Sequence, residues 1–392
     1  MEFYNVFNQD YVRVARRADK YPVTKLELLD EQEYTLSELS DEIIVDSDSI
    51  DISYNQGTQG KCSFSVANYD GKYTPNENSP FWYGKKLRYW KGLKDITNGD
   101  VYYFSKGVYI VTGVSASDNT VDVSCVDKFG AFTSDTGASC LHTSAKMEAG
   151  KNIGTAIVDL LGMDKGNGRP LDSVKPIIDY DIRQQLLGQD IEVSSGTYIG
   201  DFFIELSNTT KCRIKYDGYG RFRMTTGSLD YEYKNKASVW DFREDYMADH
   251  LNVTAEYNFP DVKNRVTVWG ENFEGQSFVA TVENHDPSSP VCIEKVGYRV
   301  AETREDMFGY EQENVDAFAE MFLKMKTIQG ISAKIDCPII PHIEVEDCVA
   351  ITNEKLMFDE KRFFVSGVAY NGETMTLSLV NLDNLPYHTE IN

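Results

Sequence analysis

Short alternations of apolar and polar residues fill the first third of the chain: Ile50-Asp-Ile-Ser-Tyr54, Cys62-Ser-Phe-Ser-Val66, Val108-Tyr-Ile-Val-Thr112 and Thr120-Val-Asp-Val-Ser-Cys125. A period of two places one face of each segment in a core, so these runs predict strands. Turn signals separate them at Gly57 to Gly60, Asp70-Gly71, Asn98-Gly99 and Asp118-Asn119. Short strands at this spacing imply a sandwich or barrel over residues 1–135. The period then changes. Ile153, Ala156, Ile157, Leu160 and Leu161 fall at helical spacing, with Gly162 placed to end the helix. Beyond Pro170 and Pro176, Ile199, Phe202, Phe203 and Leu206 predict a second helix, with Ser195 and Thr197 as capping candidates. Cys212 to Met224 alternates on both sides of Asp217-Gly218, the pattern of a hairpin turning there or just beyond.

Residues 136–258 therefore read as a smaller α+β region. Strand patterns return over 259–392, in Val262 to Trp269, Ser277 to Val282, Ile331 to Cys337, Val349 to Ile351, Phe363 to Tyr370 and Met375 to Leu379. One amphipathic helix, with Val315, Phe318, Ala319, Phe322 and Leu323 along one side, covers this last domain and ends at Gly330. The fold class is mainly β, two β-barrel or sandwich domains flanking an α+β insert. No sequence-level repeat relates the two outer domains.

The 392-residue length fits two or three domains. Composition narrows function more than fold. Against 62 Asp and Glu stand 39 Lys and Arg, a formal charge of −23, which disfavours a surface that grips nucleic-acid phosphates. No run of about 18 apolar residues is present, and Met1-Glu2-Phe3-Tyr4 lacks the start of a signal peptide, so cytosol-like conditions are expected. Seven scattered cysteines (Cys62, Cys125, Cys140, Cys212, Cys292, Cys337 and Cys348) read as reduced, buried small hydrophobes.

The motifs of common chemistries are missing or incomplete. Gly84-Lys85-Lys86 and Gly150-Lys151-Asn152 lack the remaining residues of a phosphate-binding loop. Asp46, Asp48 and Asp51 lack the glycine and terminal glutamate of an EF-hand and read as a solvated acidic loop. Cys337, His342 and Cys348 are too few and too dispersed for structural zinc. None of His142, His250, His285, His342 and His388 sits in a catalytic signature, and His285-Asp286-Pro287 reads as a turn. Neither a cofactor nor a metal is expected. Two carboxylates spaced for glycoside hydrolysis cannot be recognised among 62. The aromatic groups Phe81-Trp82-Tyr83, Tyr89-Trp90 and Tyr102-Tyr103-Phe104 supply core packing, or rings able to stack on sugars, with Trp82, Tyr83 and Trp90 as contact candidates.

The order of elements resembles the phage tail hub family, the trimeric baseplate hub proteins and tail-associated proteins beneath the tail tube. The likeness rests on Gly60 to Val66, Gly84 to Tyr89 and Phe104 to Gly113, then on Asn264 to Val268, the helix around Ala317 to Lys326, Pro341 to Ile351, Phe364 to Tyr370 and Met375 to Leu379. Where family members often have Gly-Asp, this chain has Glu346-Asp347. The resemblance implies a non-enzymatic hub at the virion tail tip, assembled in the host cytoplasm. Its outer domains would be similar to tail-tube barrels, so that a homotrimer presents six to the tail tube and the distal tail ring. Tape-measure protein would be a further partner, DNA would pass through transiently, and the middle region would face the cell. The negative charge would then give an acidic channel; its alternative meaning is solubility. Competing readings are a carbohydrate-binding adsorption module and, last, a wall-degrading hydrolase, for which little chain follows the final strand.

Overall fold

The computed structural model describes residues 9–44, 47–54, 58–133, 141–165, 168–187, 190–196, 198–210, 212–226, 236–243, 252–259, 262–271, 275–305, 311–327 and 330–381. After helix α1 (Gln9–Ala15), the N-terminal half contributes β1 (Pro22–Leu29), β2 (Thr35–Glu38), β3 (Ser49–Ser53), β4 (Gly60–Ala67), β5 (Lys86–Lys94), β6 (Val101–Ala116) and β7 (Thr120–Asp127). All four alternating runs are strands. In β4 the pattern works as expected: Cys62, Phe64 and Val66 are buried while Lys61 and Ser63 are exposed.

The middle region holds β8 (Ala145–Met147), α2 (Ile153–Leu161), β9 (Ile177–Ile178), α3 (Tyr180–Gln184), β10 (Ile191–Val193), α4 (Ile199–Thr210), β11 (Cys212–Tyr216) and β12 (Phe222–Thr226) around its own core of Ile157, Ile182, Phe203, Ile214 and Phe222. The Asn152 side chain caps α2 by accepting from the Thr155 N–H, and Gly162 ends it in a right-handed conformation. Thr197 lies outside the described residues. The hairpin of β11 and β12 turns at 217–221.

The C-terminal half is β13 (Trp240–Arg243) and β14 (Asn252–Asn258), an insertion of β15 (Arg265–Glu271), β16 (Ser277–Glu283), α5 (Ile293–Val296), β17 (Ala301–Glu305) and α6 (Gln312–Lys326), then β18 (Gly330–Pro338), β19 (Cys348–Asn353), β20 (Phe358–Asn371) and β21 (Thr374–Asn381). Strand pairing sorts residues differently from the sequence at three places. β13 and β14, which fall before residue 259, pair with β19 and β18. The long helix α6 packs on β15 and β16 through Val315, Ala319 and Phe322, a satellite core, and does not cover the large sheet. Gly330 opens β18; α6 ends earlier, at Thr327.

Both halves share one 13-stranded sheet, because β3 pairs antiparallel with β20. One hydrophobic cluster runs through both, including Phe64, Tyr89, Val111 and Val123 with Ile335, Val349, Val365 and Leu377. Along the sheet the N-terminal half is ordered β3-β4-β7-β6-β5-β1 and the C-terminal half β14-β18-β21-β20-β19-β13. By chain position these orders are identical, so one six-strand pattern is folded twice. Two features differ: β1 runs antiparallel to β5 whereas β13 runs parallel to β19, and the N-terminal half adds β2 beyond β1.

Irregularities repeat too. A bulge separates Val111 from Gly113 against β7, and another separates Val365 from Gly367 against β21. The extra residue donates its hydroxyl in both, Thr112 to the Ser124 carbonyl at 3.2 Å and Ser366 to the Ser378 carbonyl at 3.0 Å. The motif Val-Thr/Ser-Gly-Val thus occurs at 111–114 and 365–368, which corrects the reading that the outer domains share no repeat. A bulge constrains residue identity, whereas the rest of a strand needs only alternation, so four residues carry the visible repeat.

Candidate functional site

Two places join the pieces of the chain, and both are built from groups far apart in sequence. At the first, Gly367, Val368, Ala369, Tyr370 and Asn371 of β20 pair with Ser53, Ile52, Asp51, Ile50 and Ser49 of β3. The Tyr54 N–H extends the joint by donating to the Ser366 carbonyl at 2.7 Å, and its ring meets Phe364 edge-on at 5.0 Å. Beside it, fully buried Lys91 pairs with Asp48 and donates to Thr24 at 3.0 Å and to the Gly372 carbonyl at 3.1 Å, while the Tyr89 hydroxyl donates to Asp48 at 2.8 Å. Asp48 is therefore no part of a solvated loop: a buried lysine from β5 claims it. Asp46 lies outside the described residues.

At the second, the β11–β12 hairpin turn rests on β6. Ser105 donates its hydroxyl to the Gly218 carbonyl, and a Cβ at Gly218 would stand 2.5 Å from the Ser105 carbonyl oxygen, so only glycine permits this approach. Lys128, also buried, donates to Asp172 at 2.9 Å and to the Gly220 carbonyl at 2.7 Å and pairs with Glu33. Between β6, this turn and the 342–347 loop lies a cavity of about 270 Å³.

Glu346 closes its wall. With φ of +79° it adopts a conformation that favours glycine, and its carboxylate pairs with Arg213 and Lys215 of β11. Burial pushes that carboxyl up, but Lys215 and Arg213 outweigh it, holding the group below the ordinary range. Arg213 also lies over the Tyr54 ring at 3.4 Å, and Lys236 donates to the Glu346 carbonyl at 3.0 Å. Deeper in, burial lowers Lys106 and raises Glu344 and Asp347. Burial also lowers His342 to about 4, with its ring 2.7 Å from the Tyr11 hydroxyl. Asp127 is raised to about 6 by burial, opposed by N–H donors from Gly60, Gln59 and Gly130. Cations of β6 and β11 and carboxylates of the 342–347 loop thus share one buried region where three structural pieces meet.

No family model and no curated protein matches the sequence. Solved structures do match. A 43 kDa tail protein of prophage MuSo2 from Shewanella oneidensis superposes with a TM-score of 0.57 at 12% identity, covering 93% of this chain and 99% of that one. A tail protein from Neisseria meningitidis gives 0.56 at 11% identity, covering 93% and 98%. Prophage tail protein gp18 from Listeria monocytogenes gives 0.52 at 11% identity, covering 91% and 94%. The chain has the fold of phage tail proteins.

Within this tail-protein fold the aromatic candidates separate. Trp82 is 40% and Tyr83 59% exposed, side by side in the loop before β5. Trp90 is half-buried and already engaged: its indole N–H donates to Glu27 at 2.9 Å, Lys25 lies over its ring, and Tyr219 of the hairpin turn meets it edge-on at 5.9 Å. Phe81 is wholly buried against Phe64 and Tyr73. Six cysteines are buried, and Cys140 lies outside the described residues. Cys337, His342 and Cys348 are not gathered into a metal-binding group among the described residues. His285 pairs with Glu283 and Glu294 at an exposed turn that Asp286 shapes by accepting from Ser288, while His250 and His388 are outside the described residues. Glu346, Lys91 and Lys128 were missed as organising residues. For Glu346 alone a signal existed, a bulky acid where the resembling family often has glycine.

Proposed function

We propose that this protein is a structural hub of a phage tail tip or baseplate, in which three copies form a ring of six equivalent sheet units. The observation that carries this reading is the six-strand pattern folded twice and joined edge to edge through β3 and β20. A chain with two equivalent units can match a threefold assembly to a sixfold neighbour, and that role needs surfaces, with no catalytic group. The partners are the tail tube, the distal tail ring and the tape-measure protein. The location is the virion tail tip, after assembly in the host cytoplasm. Residues 1–135 and 259–392 supply the tube-like domains, with β13 and β14 as part of the second, and the rest of 136–258 faces the cell.

The sheet face opposite the core repeats small hydroxyl side chains, Ser63, Ser65 and Ser124 in one unit and Ser332, Thr376 and Ser378 in the other. Acids outnumber bases on it, Asp51, Asp122, Glu256 and Asp336 against Lys61 and Lys334. As a channel wall this face would let DNA slide, since it offers more carboxylates than cations to hold phosphates, in keeping with the acidic channel that composition suggests. Light scattering and electron microscopy of the full chain, alone and with distal tail and tube proteins, test the proposal. A trimeric ring is the expected result; a monomer that binds neither partner ends it. A second reading, adsorption to a surface glycan, is supported by the adjacent exposed rings of Trp82 and Tyr83. Glycan-array binding that is lost in the double alanine variant would favour it.

A further inference from the structure

The internal joint has a counterpart that is left open among the described residues. Aligning the two bulges places Gly113 to Ser117 on Gly367 to Asn371, and following the ladder through β7/β21 and β4/β18 places β14 on β3, with Ala255 on Ile50, Tyr257 on Ile52 and Phe259 on Tyr54. Inside the chain, β20 uses this segment to pair with β3. Among the described residues, β14 pairs on one side only, with β18, and Gly113 to Ala116 pair only with β7. Burial records the difference. Val368 and Tyr370, under β3, are 2% and 0% exposed, whereas their counterparts Val114 and Ala116 are half-buried and exposed. On the other edge Tyr257 is 40% and Phe259 63% exposed, large rings at the positions of Ile52 and Tyr54, which are both at least partly covered. Two open edges that match the two halves of a joint already formed in the same molecule select a second copy as occupant.

We infer that β14 of one copy adds antiparallel to the end of β6 in a second copy, with Asn258 opposite Gly113, Tyr257 opposite Val114, Glu256 opposite Ser115, Ala255 opposite Ala116 and Thr254 opposite Ser117. The large sheet then continues across the boundary between copies as it does between the halves of one. The contact joins unlike edges, so it propagates head to tail, and it forms a ring when the rotation between copies closes. The register rests on the internal repeat alone; closure after three copies rests on the hub reading above.

Mixing Ser115→Cys and Glu256→Cys variants of the full chain tests the register, because directly opposed residues of an antiparallel pair lie about 4.5–5.5 Å apart at Cα, within disulfide reach. A disulfide between copies, mapped by mass spectrometry, is expected for this mixture and not for Ser115→Cys mixed with Ala255→Cys, since a slip of one residue turns the side chain to the other face. Tyr257→Asp, at an exposed position, is expected to leave the melting temperature of the monomer unchanged and to weaken self-association at least tenfold. A ring that assembles from the Ser115→Cys and Glu256→Cys mixture without this disulfide, or that tolerates Tyr257→Asp, overturns the register and leaves the hub standing. Failure to self-associate, alone or with the distal tail ring, overturns both.

Discussion

The N-terminal half turns into β5 through Gly84, where a Cβ would meet open space; the C-terminal half makes the same turn into β19 through Glu346. The backbone scheme is duplicated in detail. Gly84 and Glu346 have φ of +80° and +79°, and their N–H groups donate to the Val111 and Val365 carbonyls, both at 2.9 Å. Val111 and Val365 return the bond to Lys85 and Asp347, at 3.0 and 2.9 Å. One half relaxes the turn with glycine. The other accepts backbone strain so that a carboxylate can hold Arg213 and Lys215 of the middle region. Duplicated hydrogen bonding therefore sets the frame, and side chains at equivalent positions are free to diverge where only one half meets the middle region.

The largest expected effect breaks this difference directly. Glu346→Ala leaves a buried guanidinium and ammonium without their partner and should cost about 3–5 kcal/mol in urea unfolding. Glu346→Gly should cost about 1 kcal/mol less than alanine, because glycine relieves the left-handed backbone. Equal losses for the two would remove strain from the account.

A second contrast lies at the ends of β7 and β21, where buried Asp127 stands in the place of Asn381. Asp127, raised to about 6, keeps its proton in the native state over a range where the unfolded chain has released it. Its contribution is therefore present at about pH 4 and lost as pH rises through 6. His342, lowered to about 4, stays neutral where the unfolded imidazole is protonated, so its contribution is present above about pH 6.5 and lost as pH falls to 4. Each amounts to about 3 kcal/mol, and in the parent they oppose each other. Relative to the parent, Asp127→Asn should lose stability on acidification from pH 6 to 4, and His342→Asn should gain it. Parallel urea titrations at the two pH values read both signs; changes of the same sign would refute the opposition.

Gly84→Ala comes next, at roughly 1 kcal/mol from left-handed backbone alone, with no clash to confuse it. The smallest effect compares the bulges. A Cβ at Gly113 would sit 3.6 Å from the Ser124 Cβ, and one at Gly367 3.3 Å from the Ser378 Cβ. Gly113→Ala should be neutral or stabilising by up to about 0.5 kcal/mol, through lost freedom of the unfolded chain. Gly367→Ala should be destabilising by a similar amount, and thermal melts that rank them the other way would show that the two bulges are not equivalent.

Much of the architecture was legible because it is local. The alternation of Cys62 to Val66 and Thr120 to Cys125 named the core-facing residues, and the spacing of Ile153 to Leu161 named a helix. The candidate site was far less legible. Trp90 looked available because nothing in its neighbourhood in sequence announces Glu27, Lys25 and Tyr219 around its ring. Asp48 looked solvated because Lys91 lies beyond two turns of the chain.

What the sequence determined by itself was which face of each strand is apolar, where hairpins turn, and that acids outnumber bases by 62 to 39. Only the tertiary structure decided that β13 and β14 join the C-terminal half, that α6 covers a satellite sheet, and that β3 meets β20. The reason is physical. Side-chain alternation belongs to a single strand, but pairing is made by backbone N–H and C=O groups that are the same on every edge, so the partner is selected by what packs around it.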